Sequence, residues 1–103
     1  MTRIYVSISA PVYAVSFRDH ATGSRETCAG ISALMYALEG YLQNHESDIV
    51  DHDASIPDDN RDARCHIRFE TKEPAVIGAF ECFLIGLLQI QNSYPDYCKV
   101  IVT

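Results

Sequence analysis

Four cysteines, Cys28, Cys65, Cys82 and Cys98, are spread through the chain with no Cys-x-x-Cys pair among them. That spacing argues against a zinc site or the dense disulfide framework of a small secreted domain, and it favours reduced thiols in a cytoplasmic protein. No apolar run approaches the roughly 20 residues of a membrane span. The densest, "GAFECFLIGLLQI", is too short and contains Glu81, so no membrane partner is expected. Basic residues are scarce as well, 8 against 14 acidic for a formal charge of -6. Such a chain is not expected to draw in nucleic acid over long range, and a basic protein partner suits it better. Linkers, tandem repeats and low-complexity tracts are absent, which leaves residues 1–103 to form one domain.

The 103 residues are 48% apolar and 21% charged, a composition able to bury a core unaided. Ile4, Val6 and Ile8 alternate with Tyr5, Ser7 and Ser9, which is strand period and not a signal-peptide block. Strands are therefore predicted over Arg3–Ser9 and Val12–Asp19, joined across Ala10-Pro11 as a hairpin, with Tyr13, Val15 and Phe17 facing the core. Ile31, Leu34, Met35, Leu38, Tyr41 and Leu42 recur at helical spacing, so Thr27–Gln43 is read as an amphipathic helix capped by Thr27 or Ser24. A β-like stretch follows at Ser47–Asp51, then an acidic loop and a clean strand over Ala63–Glu70, with Cys65, Ile67 and Phe69 on one face. Pro74 suits the first turn of a second helix running to about Ser93, with Thr71 as a cap. Its predicted stripe is Ile77, Phe80, Leu84, Leu87, Leu88 and Gln91, with Val76, Cys82, Phe83 and Ile85 outside it. This excess of apolar surface suggests burial against a second subunit. A final strand is expected over Tyr97–Thr103. The order ββαββαβ predicts an α+β two-layer sandwich, about five strands with two helices on one face.

Most of the chemistry-bearing residues have a bland reading. "DIVDHDASIPDDN" lacks the ligand order and glycine of an EF-hand loop. His45 and His52 have no ligand-like spacing with cysteine and are read as surface residues, and no metal or cofactor is expected. Cys65, Cys82 and Cys98 fall among apolar neighbours and are read as small buried hydrophobes. Cys28 differs, because it falls at the start of a helix. A thiol there meets unpaired backbone amides and the positive end of the helix dipole, which favour thiolate and can also bind an oxyanion. Gly30 is read as leaving that backbone uncovered. His20 ends the second strand eight residues earlier, within the ~28 Å that the intervening chain can span, and an imidazole beside the thiol can take its proton.

The stretch "RDHATGSRETCAGISAL" then carries a resemblance. "DHA" at Asp19–Ala21 and "CAGISAL" at Cys28–Leu34, followed by "AFECFLIGLLQIQNSYPDYCKV" at Ala79–Val100, resemble the ribosomal-processing cysteine proteases, the Prp family. The likeness covers most of the chain in the right order. It implies a homodimeric endopeptidase with a Cys-His dyad, Cys28 as nucleophile and His20 as base and acid. Ala29, Gly30 and Ser32 would contact substrate or support the thiol. The implied substrate is a short N-terminal extension on large-subunit ribosomal protein number twenty-seven or, in phage relatives, a structural protein. The chain departs from the family pattern at Asp19, where the family has glycine, at Arg25-Glu26, and in a shorter loop between His20 and Cys28. A non-catalytic dimeric binding or assembly module with the same fold is the alternative reading.

Overall fold

Alternating residues near the N-terminus pair as a hairpin. β1 (Thr2–Ser9) and β2 (Val12–Arg18) run antiparallel, with Val6 opposite Val15 and Ile4 opposite Phe17. In the computed structural model, which describes residues 1–18, 24–56 and 65–103, the hairpin is followed by α1 (Arg25–Gln43), β3 (Asp51–Ser55), β4 (Cys65–Glu70), α2 (Pro74–Ser93) and β5 (Cys98–Val102). The strands form one five-stranded mixed sheet in the order β3-β4-β2-β1-β5, with β5 parallel to β1 and the other pairs antiparallel. This is the expected ββαββαβ sandwich.

Strand alternation sends Ile4 and Val6, then Tyr13, Val15 and Phe17, then Cys65, Ile67 and Phe69 to a single buried face. Both helices cover that face. Tyr13, Phe69 and Phe80 form an aromatic triangle at its centre, with ring centroids 5.4–5.5 Å apart, a spacing at which edge and offset contacts add to area burial. α1 contributes Thr27, Ile31, Met35, Leu38 and Leu42.

The buried stripe of α2 is Val76, Phe80, Phe83 and Leu87, which keeps Phe80 and Leu87 of the predicted stripe but adds Val76 and Phe83, expected outside it. The helix is apolar almost all round, so periodicity left its rotation undetermined, and packing against the sheet selected the face carrying two phenylalanines. Leu88 is 40% exposed and Ile85 56%. Among the described residues only α2 is long and apolar enough to cross a bilayer, its best window having a mean hydropathy of 1.5, yet here its stripe lies in the core.

Three further expectations are corrected. The segment predicted as strand at Ser47–Asp51 instead forms a 3-10 turn over Glu46–Asp48, and the strand occupies Asp51–Ser55. Its sequence, DHDAS, has little β propensity. It pairs with β4, and across that pairing Asp51 bonds Arg68 at 3.1 Å and Asp53 bonds His66 at 3.2 Å, each diagonally to the register. Thr71 does not cap α2. Glu73 occupies that position without a side-chain bond, while the Thr71 hydroxyl donates to the Asp48 carbonyl at 2.7 Å and accepts from the Glu73 amide at 3.1 Å. Cys82, expected inside, is exposed, because it lies on the outer side of α2. At the outer edge of β5 the Val100 amide donates to Gln91 Oε1 at 2.6 Å and the Cys98 amide to the Tyr94 carbonyl at 3.1 Å.

Candidate active site

β2 delivers the chain to one end of the sheet at Arg18, and α1 starts from the same connection at Arg25. His20 lies in that connection, outside the described residues, together with Asp19 and Ala21. Ser24 is the residue that caps α1. Its Oγ accepts from the Thr27 amide at 3.2 Å and donates to Thr27 Oγ1 at 2.9 Å. Thr27, the other candidate for the cap, is buried within the first turn instead.

This cap places Cys28 fourth in the helix, where its amide donates to the Ser24 carbonyl at 3.1 Å as the first bond of the helical ladder. The amide of the nucleophile candidate is therefore committed to the helix. The amides ahead of that ladder belong to Arg25 and Glu26, at the helix tip. Oxyanion stabilisation from α1 would draw on amides such as these and not on that of Cys28, and the Glu26 carboxylate in the same turn opposes it.

Cys28 is half-buried beside the Thr27-Ile31-Met35 stripe, and Ser32 follows one turn later on the same flank, also half-buried. Ala29 is exposed. Gly30 faces away from both, toward α2, where a Cβ would come within 3.1 Å of Ile90 Cδ1. The reciprocal contact is made by Gly86 of α2, whose added Cβ would meet Leu34 at 2.8 Å. The absence of side chains at both glycines thus lets the helices approach, and the space beside them is a shallow groove of about 370 Å³ lined by Leu34, Gln89, Ile90 and Tyr94 among others. A packing need accounts for Gly30 without any exposure of backbone to substrate.

Two buried thiols contrast with Cys28. Burial, together with the Glu39 carboxylate, pushes Cys65 up to about 11, and burial alone raises Cys98. Both are protonated at neutral pH and are packing groups. Sequence reading missed one polar pair. His52, expected at the surface, bonds through Nε2 to Glu39 Oε1 at 2.6 Å, and both side chains are largely buried. Glu39 lies on α1 and His52 on β3, so the pair ties the edge strand to the helix. No local signal marks it, since the two residues stand 13 apart and meet only through tertiary packing. His45 stacks on Tyr41 at 4.0 Å and bonds the Tyr41 carbonyl through Nδ1 at 2.8 Å.

No family model and no curated protein sequence matches this chain. Solved structures do. The essential ribosomal processing protease Prp of Staphylococcus aureus, solved with a covalently linked product peptide and also with a substrate peptide, aligns with a TM-score of 0.78 at 17% identity, covering 100% of both chains. The fold is that of the Prp protease. A Streptococcus mutans protein, SMU.848, aligns at 0.75 with 18% identity over 100% of this chain and 97% of its own. The described part of the candidate site is the first turns of α1, with Cys28 and Ser32 on one flank.

Proposed function

We propose that this chain is a cysteine endopeptidase of the Prp family, active as a single 1–103 domain within a homodimer. The observation that carries the reading is the position of Cys28 in the first turns of α1, directly after the strand connection that bears His20. The shared fold with a protease solved in complex with peptides adds support.

In the proposed mechanism His20 takes the proton of Cys28, and the Sγ forms a bond to the scissile carbonyl carbon. The oxyanion faces the helix tip, where Arg25 and Glu26 present amides. Collapse breaks the C–N bond, and His20 passes its proton to the leaving amine. Water, deprotonated by His20, then releases the acyl group and regenerates the thiol. Ser32 and Ala29 border the nucleophile and contact substrate or steady the thiol, while Gly30 supports the site by setting the spacing of α1 against α2. No cofactor takes part. The proposed substrate is the N-terminal extension of large-subunit ribosomal protein number twenty-seven, or a phage structural protein, cut in the cytoplasm. A basic ribosomal substrate complements a chain of charge -6.

The test is incubation of the purified protein with the extended substrate. Cleavage by the parent chain is expected, together with its loss in Cys28→Ala and His20→Ala variants that keep the parental circular dichroism. Undiminished cutting by Cys28→Ala overturns the mechanism. Absence of cleavage by the parent favours the non-catalytic assembly module.

A further inference from the structure

The helices cover one face of the sheet and leave the other open, and charge on the open face is sorted by position. Arg3 of β1 stands in register with Lys99 of β5. The residues in register across the next row are Ile101, Tyr5, Ser16 and His66. The acidic residues of this face, Asp51, Asp53 and Glu70, sit at the opposite corner, on β3 and β4, where Asp51 is taken by Arg68 and Asp53 by His66. Arg3 and Lys99 are exposed, and neither forms an ion pair with any described acidic residue, including Asp96 in the turn before β5.

Adjacent strands lie ~4.8 Å apart, so two cations directly opposite one another repel and weaken the pair. The arrangement costs stability unless an anion lies across it. Beside the cations, Tyr5 is 47% exposed on the second strand from the edge, its ring presented at the surface of the sheet. Cations that neutralise a backbone and an exposed aromatic ring that stacks a base are elements of a single-strand binding platform. An acidic peptide would satisfy the cations and leave the ring unused.

We propose that the open sheet face binds single-stranded nucleic acid, with Arg3 and Lys99 on phosphates and Tyr5 stacked on a base. The net charge of -6 governs the distant field, whereas contact is decided by this corner. The inference is independent of Cys28.

Fluorescence anisotropy of labelled oligo-uridylate and oligo-thymidylate, each of about 12 nucleotides, tests it in about 50 mM salt. Binding is expected below about 100 µM protein, with a logarithmic salt slope of about -1.4 for two phosphate contacts. Arg3→Gln with Lys99→Gln should weaken binding at least about tenfold and flatten the slope, and Tyr5→Ala should weaken it about tenfold with the slope retained. Asp51→Asn, at the far corner, serves as the control and should leave binding within about twofold. Preference for the uridylate over the thymidylate would assign RNA, and equal binding would assign either strand. The proposal fails if the parent does not bind, if the folded double variant binds as tightly as the parent, or if a labelled oligo-glutamate peptide binds as tightly as the oligonucleotides.

Discussion

α1 and α2 are nearly equal in length, 19 and 20 residues, and lie side by side on the same sheet face, yet they present opposite surfaces to the outside. α1 buries one stripe, and its flank carries Cys28, Ser32 and Glu39. α2 buries Val76, Phe80, Phe83 and Leu87 and still exposes Ile85, Leu88 and Cys82. A helix with one apolar stripe has its rotation set by burial, and its remaining surface is available for polar chemistry. A helix apolar all round has surplus that the sheet cannot cover, and this surplus supports the proposed association of two subunits through α2.

The largest effect expected is on α1. Cys28→Ala should reduce cleavage more than about a thousandfold in a single-turnover assay while the thermal midpoint stays within a few degrees, because the side chain is only half-buried. Phe80→Ala on α2 should show the reverse, a loss of about 3–5 kcal/mol in urea unfolding, since it empties the aromatic triangle with Tyr13 and Phe69. Ile85→Ser combined with Leu88→Ser should shift sedimentation from dimer to monomer, with subunit stability changed by less than about 1 kcal/mol. A double variant that sediments as the parent does would place the subunit contact elsewhere.

The smallest effect is a dependence on pH. Cys65, at about 11 when folded against 9.0 for the ordinary thiol, and Cys98, also raised, bind their protons more tightly in the folded state. Their contribution to stability is therefore full below about pH 9 and is lost as pH rises from there through about 11. Urea midpoints should fall over that interval, and Cys65→Ala should flatten the fall. Thiol labelling should reach Cys82 before Cys65 or Cys98, because only Cys82 of the three is exposed.

Much of this architecture was readable from residue pattern. The strands at the N-terminus, β4 with Cys65, Ile67 and Phe69 inward, and α1 with its stripe all have a period that burial enforces. What was not readable had no period to read. β3 is marked by cross-strand contacts of Asp51 and Asp53 and by the clasp between His52 and Glu39, contacts that exist only after folding. The rotation of α2 was hidden by its uniform apolarity, and with it the exposure of Cys82. At the candidate site, Cys28 in the first turns of α1 followed from the helical pattern. The assignment of the cap to Ser24 did not, because Thr27 is equally able to cap and was placed inside only by its burial. That shift of three positions moved the available amides from Cys28 to Arg25 and Glu26.

The bond from the Val100 amide to Gln91 gives the two borders of the sheet different fates. With the Cys98 amide also taken, β5 offers little to an incoming strand, whereas β3 runs along the other border with no further strand beside it among the described residues. Growth by strand pairing needs two adhesive borders on every molecule, one to receive and one to offer. This molecule has only one. Two copies pairing β3 with β3 would use up these borders, so the glutamine side chain, by occupying the Val100 amide, ends extension of the sheet at β5.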